Sequence, residues 1–577
     1  MNGNEPIPIV FSGGMNNVDT PLTLFLKKQG ETERLVNADT SLQGRLKILR
    51  PLAIVNKTAQ SSSIHTIYHA GSAILIGTGN YLKYLTIYGS LTTLLSSLSS
   101  AKLSISHAGA WAFMGNGTDN KAAYLSSHTG TDWGQAPPTA APTVATGAAG
   151  NPDGEYSCYY RYKITLPDGS ILRTALSPVA TVDTTGGLII EWSGLVHATF
   201  TGCTCQIELF RWLTGFAATQ RVTTLSSGTT TYSDDISDAT LQDEDDSNYY
   251  EFAETGYYGT PDNINMAIYH PGADRVFAVV DNDIYWSEAG GGAYYHIFIY
   301  DETADEYTNV NSVFLSGENI TGLVILDEQL YVASQRTWRR LRGRTPSDWA
   351  WEDTAAVKGP ICEKVIAKTP WGALYPGNDG CMWVFNGYQS SKILETFKFD
   401  TLPDTNSHAT FDGRYYRLFY GDTTYPELII DFFNFPERSP IVVQSTRNYT
   451  CSFYYPGSNE FYVGDSSGYV RTGEDSDTEV TLSFKTSEIP ADQLIKTGDF
   501  ANVLVQANTQ GDNLIITPYE DGVEQDALTA FTSTSLVREP VPLKFNSYRS
   551  LAFLVSITTS EDIEIREPWM LQKGDDG

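Results

Sequence analysis

Positive charge is scarce in this chain: 38 Lys and Arg stand against 68 Asp and Glu, a net charge of −30. A nonspecific nucleic-acid binder needs a basic surface to displace phosphate counterions, so that class is excluded. Cysteine is sparse as well. Six in 577 residues make no disulfide scaffold, and the reading is free thiols in a protein made in a reducing cytosol. Eight histidines, scattered singly, offer no local metal or histidine-base cluster. No apolar run reaches the roughly 18 residues of a membrane span. The opening Met1-Asn-Gly-Asn-Glu-Pro6 lacks the basic start and apolar centre of a signal peptide. Apolar runs at helical spacing are nearly absent, and the best helix expectation, Leu91 to Leu103, is weakened by its serines.

What the chain does have is β-forming residues and turns: 34 Tyr, 25 Phe and 11 Trp beside 49 Gly. One phrase keeps returning: a strand, a tight turn with Gly, Asn or Asp, then a strand ending in an aromatic. It appears as Tyr68-His-Ala-Gly-Ser-Ala-Ile-Leu-Ile-Gly77 and as Ile105-Ser-His-Ala-Gly-Ala-Trp-Ala-Phe-Met114. It returns from Tyr269, Gly322, Gly377, Ala409 and Tyr455. One long gap aside, the copies lie about 35 to 50 residues apart, the spacing of β-propeller blades. Such hairpins cannot bury a face alone and must stack on their neighbours.

The expected architecture is therefore all-β: a β-propeller of roughly seven blades, an inserted fibronectin/Ig-like β-sandwich and a C-terminal β-sandwich. Residues 1–59 read as an N-terminal arm and 60–136 as the first part of the propeller. Residues 137–150, with Pro137-Pro138, Pro142 and Ala/Thr/Gly-rich sequence, read as a linker. Residues 151–245 carry about seven short alternating strands, among them Tyr156 to Thr165, Leu188 to Trp192 and Cys205 to Trp212, and resemble fibronectin-type modules. The propeller resumes over 246–477, a sandwich follows over 478–572, and 573–577 is a disordered tail.

Four motifs suggest chemistry. Arg336, Arg339, Arg340, Arg342 and Arg344 put five arginines in nine residues of an acidic chain. On a strand Arg340, Arg342 and Arg344 share a face. They read either as a contact for DNA phosphates or a partner, or as a blade edge paired with local carboxylates. Asp234, Asp235, Asp238, Asp243, Glu244, Asp245 and Asp246 are oxygen-rich, but they lack EF-hand spacing and read as a solvated linker. Cys203 and Cys205 could share a metal on one strand face. Zinc needs four ligands, and none nearby completes the set, so they read as buried thiols. Ser126-Ser-His-Thr-Gly130-Thr-Asp-Trp133 resembles the Asp-box turn of sialidase-type propellers, with His128 where the Asp should stand; such boxes are structural. No G-x-S-x-G, H-E-x-x-H or P-loop occurs. We expect no enzyme, no cofactor and no metal.

The opening Phe11-Ser-Gly-Gly-Met-Asn-Asn-Val-Asp-Thr-Pro21, then Leu35-Val-Asn-Ala-Asp39, then Gly44-Arg-Leu-Lys-Ile-Leu-Arg50, resembles the start of short-tailed phage tail proteins. There a G-x-N-x-x-D-x-P phrase precedes x-N-x-D…G-x-L-x-x-R. Asp283-Ile-Tyr-Trp-Ser-Glu288 is similar to a strand of their propellers. That family is called tail nozzle, tail tubular protein B or packaged-DNA stabilisation protein, and the likeness spans the arm and propeller. It implies a structural virion protein, made in the host cytoplasm and placed in the viral tail as a homohexameric ring. The ring would meet tail adaptor proteins and tail fibres or spikes. It would retain double-stranded DNA and pass it on ejection. An acidic wall suits that passage, and the arm is a candidate for strand exchange with a neighbouring copy. The alternative is a propeller-type carbohydrate-binding or depolymerising receptor-binding phage protein, whose aromatics would supply stacking platforms.

Overall fold

The computed structural model describes residues 7–573 apart from 12, 14, 17–31, 41–43, 72, 87–88, 217, 243–258, 299, 302–305, 308–317, 344, 395–396, 434, 438, 458, 476, 491–499 and 543–549. The chain is all-β. Among the described residues the one α-helix is a single turn, Asp238–Leu241, capped by the Ser237 side chain. The helix expected from Leu91 does not form. Leu91–Leu95 is the outermost strand of a four-stranded sheet, where the β-branched pair Thr92 and Thr93 lies exposed on a pleated surface.

Seven small antiparallel sheets surround one cavity in the manner of a β-propeller. Their innermost strands are Ile64–Ala70, Ser104–Ala108, Met266–His270, Gly322–Leu326, Ala367–Thr369, His408–Phe411 and Cys451–Tyr455; contacts run from each sheet to the next and from the last to the first, with Gly322–Leu326 meeting the fifth sheet through Gly372–Pro376 and the turn Glu363–Val365. Neighbouring inner strands run the same way. The amides of Ala267 and Tyr269 donate to the hydroxyls of Ser104 and Ser106, stepping forward together. The recurring turn of the sequence is the hairpin that leaves the inner strand in six of the sheets; in the fifth, the Gly377 copy turns between Gly372–Pro376 and Met382–Phe385. It demands a left-handed backbone, supplied by Gly109 at φ 57°, Asp274 at 50°, Asp327 at 46° with Glu328 at 61°, and Asn459 at 56°. The strand-end aromatics then pack between sheets. Trp111, Phe113 and Trp133 are buried in one such seam, and Trp286 against Phe277 in another.

The seventh sheet takes its fourth strand from the other end of the chain. Ala53–Ile54 pairs with Val470–Thr472, and the Asn56 side chain accepts from the Val470 amide at 2.6 Å. The arm is likewise woven into its own chain. Ile7–Ile9 pairs with Trp569–Lys573, and Arg45–Ile48 with Glu564–Arg566. Arg34–Val36 lies between Ile441–Ser445 of the sixth sheet and Val480–Lys485. That insertion fuses the sixth sheet and the C-terminal strands into one eleven-stranded sheet. A second sheet, of seven strands, packs in the same apolar core, with Phe11 stacked on Phe484 at 4.6 Å and Trp569 fully buried beside both.

Between the second and third sheets come two more. Thr143–Ala149, Leu188–Ser193 and Tyr232–Asp234 form one; Ile171–Arg173, Glu155–Thr165, Thr204–Leu213 and Gln220–Leu225 form the other, with Ala180–Asp183 at its side. The expected linker 137–150 thus holds an edge strand. Its small polar residues reflect exposure, since none of Thr143–Ala149 is buried. Tyr156, Tyr160 and Trp192 fill the space between the two sheets. Trp111 of the second propeller sheet ties the pair to the ring, its indole N–H donating to Asp168 at 3.0 Å.

Candidate functional site

The inner strands enclose a cavity of about 750 Å3 to which all seven contribute. Its chemistry inverts that of the whole chain. Lys102, Lys364, Lys368, His65, His107 and His408 line it, against one carboxylate, Glu363. His65, Lys102, Glu363, Lys364 and His408 come from the starts of inner strands or from the turns just before them, so the parallel ring gathers them at one mouth. Lys364 and Glu363 sit on the short 3-10 turn Glu363–Val365 that leads into the fifth inner strand, and Lys102 lies two residues ahead of the second.

Burial favours the neutral ring at both buried histidines of this mouth, and their hydrogen bonds suit it. His65 Nε2 donates to the Gly79 carbonyl at 3.2 Å, leaving Nδ1 to accept from Thr66 Oγ1 at 3.0 Å; that hydroxyl in turn accepts from the Leu103 amide at 2.9 Å. His408 Nε2 donates to the Tyr449 carbonyl at 3.1 Å, and Nδ1 accepts from Ser452 at 2.9 Å. Burial, reinforced by the charge of Lys102, pushes His408 down to about 3. Burial also lowers His65, Lys102 and Lys364.

The lysines meet carbonyls. Lys102 Nζ donates to the Asn406 carbonyl at 2.5 Å, and Lys364 Nζ to the Lys102 carbonyl at 3.4 Å. Glu363 accepts from the Ser104 hydroxyl at 2.9 Å; burial pushes its carboxyl up to about 7, against the pull of Lys364 and Ser104. Further along the strands the wall turns aromatic. Tyr68 and Phe453 pack at 5.1 Å, and the Tyr68 hydroxyl bonds His107 Nδ1 at 2.9 Å.

The residues singled out from sequence lie elsewhere. Four of the arginines fall in or just before Trp338–Arg342, the third strand out from the cavity. Arg336 pairs with Glu318, Arg339 with Asp353 and Arg340 with Glu352, while Arg342 is exposed; Arg344 lies outside the described residues. Of the acidic run, Asp243 to Asp246 lie outside the described residues. Asp234 departs from the solvated reading, because it is fully buried against Arg211 at 2.8 Å, and Asp238 bonds both Arg211 and the Tyr156 hydroxyl. Cys203 and Cys205 are free thiols. Cys205 is buried, and half-buried Cys203 lies 3.0 Å from the Thr131 hydroxyl. No group of His, Cys, Asp and Glu suited to a metal occurs among the described residues. The Asp-box-like phrase forms the turn between Asn120–Tyr124 and Thr129–Asp132. His128 takes a left-handed backbone there and stacks on Tyr84, and a side chain on Gly130 would collide with Leu94 and Leu95 of the neighbouring sheet.

Sequence reasoning missed Lys102, Glu363, Lys364, His65 and His408, because no local motif joins residues tens of positions apart. The usable signal was positional: a polar or basic residue at or just ahead of the inner strand of several repeats.

No family model matches this chain, and no curated protein does. Among solved structures, the chain is similar in fold to the WD40 repeats of RRP9, at 7% identity and a TM-score of 0.35, over 73% of this chain and 100% of that one. It is similar to the Dos1 propeller at 11% identity and 0.29, over 73% and 94%. It is also similar to the computationally designed Ika8 protein at 10% and 0.33, over 74% and 100%. Likenesses this distant carry no argument about activity or partners.

Proposed function

We propose that this chain is a structural virion protein, the nozzle ring of a short-tailed phage tail, which retains packaged DNA and forms the conduit for its ejection. In this reading the seven sheets are seven blades of a closed propeller, sealed by Ala53–Ile54. The sheets over 143–241 are an inserted fibronectin-like sandwich, and the C-terminal strands form a second sandwich together with the arm.

The observation that carries the reading is the behaviour of the arm, whose phrases bear the resemblance. Asn37 stands in a left-handed turn at φ 52°; its side chain donates to Thr446 and to the Thr481 carbonyl and accepts from the Thr446 amide. Asp39 accepts from Tyr415, and Arg50 pairs with Asp562. Those phrases therefore join the sixth sheet to the C-terminal strands, a rigid coupling suited to a load-bearing part. Since the strands pair within their own chain, exchange between copies is not needed to satisfy them.

Two physical points shape the proposal. The propeller's own cavity is on the scale of a small ligand, so a duplex must pass through a hole formed between copies, in a homohexamer. A surface bearing most of a −30 charge repels a polyanion and lets it slide. Adaptor proteins, fibres or spikes would meet the ring's outer surfaces.

The test is the mass of the purified full chain in solution together with electron-microscope images of the same sample. A six-fold ring with a central hole is expected. A compact trimer that releases sugar from a polysaccharide would overturn the nozzle reading in favour of a carbohydrate-cleaving protein.

A further inference from the structure

The central cavity holds an electrostatic imbalance that the fold does not explain. Taking an ammonium group partly out of water is costly unless an anion or several good acceptors replace the water. Lys102 and Lys364 are half-buried at one mouth, and their protein partners are one carbonyl each, that of Lys364 at a long 3.4 Å. Among the described residues neither ammonium forms an ion pair with a carboxylate. Glu363 is the single acid in the lining; it accepts from Ser104 and attracts Lys364 without an ion-pair contact, as Asp404 attracts Lys102 from outside the lining. The neutral rings of His65 and His408 add no negative charge. A chain with thirty more acids than bases thus sets three lysines against one acid in this lining.

The other half of the cavity has a different character. Beyond the lysines the wall is built of Ile67, Ile105, Ile268 and Val324, with Tyr68, Phe453 and Phe411. Tyr68 has its hydroxyl bound to His107 and its ring tilted against Phe453, so it presents a fixed aromatic surface. A space of about 750 Å3 with a cationic head region and an apolar body region lies within the range that holds one small ligand.

We propose that the central cavity binds a small organic anion, its phosphate or carboxylate head held by Lys102 and Lys364 and its ring-sized body packed along Tyr68 and Phe453. The head would replace solvent around both ammonium groups with charge-assisted hydrogen bonds. Glu363 bounds the head region and disfavours a second negative group on the ligand. The aromatic wall adds stacking area that inorganic anions cannot use. This inference is independent of the nozzle reading, because it concerns the interior of each copy and not the hole between copies.

The test is calorimetric titration of the full chain with phenyl phosphate, benzoate, inorganic phosphate and benzyl alcohol. Phenyl phosphate or benzoate is expected to bind once per chain, at least tenfold more tightly than inorganic phosphate and than benzyl alcohol; which of the two wins identifies the head group. Equal affinity for the charged and neutral aromatic probes, or no binding of either anion, overturns the proposal. The double variant Lys102→Met, Lys364→Met is expected to lose at least tenfold in affinity for the better anion, and Arg340→Ala none. A double variant that is folded by circular dichroism and binds as well as the parent overturns it too. Should that variant fail to fold, lysine acetylation of the parent protein decides. The better anion is expected to slow modification of Lys102 and Lys364 at least threefold while leaving Lys57 unchanged, and equal rates with and without it refute the assignment.

Discussion

The inserted sheets and the central cavity both take basic side chains out of water, and they treat them in opposite ways. In the insert, Arg161 lies opposite Glu208 in the strand register and meets it at 2.7 Å, with both side chains essentially buried. Arg211 meets Asp234 at 2.8 Å with neither exposed. Each guanidinium also covers a ring, Phe210 or Tyr156. In the cavity, two lysines are gathered at one mouth with carbonyls for company. The residue types follow the task. Planar, always-charged Arg suits a permanent buried pair, whereas a flexible Lys ammonium can release its carbonyl and take up an anion. Buried charge that is matched within the chain holds sheets together, and buried charge left unmatched is available to a ligand.

The largest expected effect breaks the matched side. Arg211→Met leaves Asp234 buried without its counter-charge and should cost about 3–5 kcal/mol. Urea unfolding of the full chain, followed by far-ultraviolet circular dichroism, measures it. A cost below 1 kcal/mol would mean that water reaches Asp234 and that the contrast between the two regions is false.

The same substitution type on the unmatched side should act with the opposite sign. Without ligand, Lys102→Met with Lys364→Met removes two desolvated like charges and should stabilise the protein by about 1 kcal/mol. Thermal unfolding in an anion-free zwitterionic buffer is the measurement. A loss as large as that of Arg211→Met would show these lysines to be structural.

Glu363 sharpens the comparison through pH. Its carboxyl is held near 7, above the ordinary 4.5, so the folded chain keeps this proton more tightly than the unfolded chain does. Its contribution is therefore full below pH 4.5 and is lost as pH rises from 4.5 to about 7. Buried His296 and His408, held down at about 4 and about 3, act in reverse: the stability they allow above pH 6.5 is lost as pH falls towards those values. Subtracting the stability curve of Glu363→Gln from that of the parent isolates the carboxylate. The parent should lose about 3 kcal/mol relative to the variant between pH 4.5 and 8. A flat difference would place Glu363 in contact with bulk water.

The matched pairs were partly legible in the sequence and the cavity was not. Alternation over Tyr156 to Thr165 and Cys205 to Trp212 marks two strands. Once they pair antiparallel, Arg161 and Glu208 stand on one face, and register is a local consequence of turn and pattern. The recurring hairpin was legible because a left-handed turn favours Gly, Asn or Asp. The sequence could not reveal that Arg34–Val36 wedges between two distant strands, since that strand's partners lie some 400 residues away. Nor could it bring Lys102 beside Lys364, because closure of the ring, and no local period, sets their distance. Charge density drew attention to Asp234 and to the arginines of 336–344. Density along the chain says nothing of what faces each group: Arg211 meets Asp234, and Glu318, Asp353 and Glu352 meet Arg336, Arg339 and Arg340.

The arginine strand supplies the case between the two regions, and the smallest expected effect. Arg340 and Glu352 lie opposite each other in register and form an ion pair, with 36% and 45% of their side chains exposed. Water screens such a pair, and ordering two long side chains offsets most of the attraction. Arg340→Ala should therefore change stability by no more than about 0.5 kcal/mol, with an effect that shrinks further in 0.5 M salt. Denaturant unfolding at two salt concentrations checks both parts. A cost above 2 kcal/mol, insensitive to salt, would mean that exposure does not decide which pairs matter in this chain, and the division between matched and unmatched charge would need another basis. A small, salt-sensitive change leaves burial as the variable that separates the insert from the cavity.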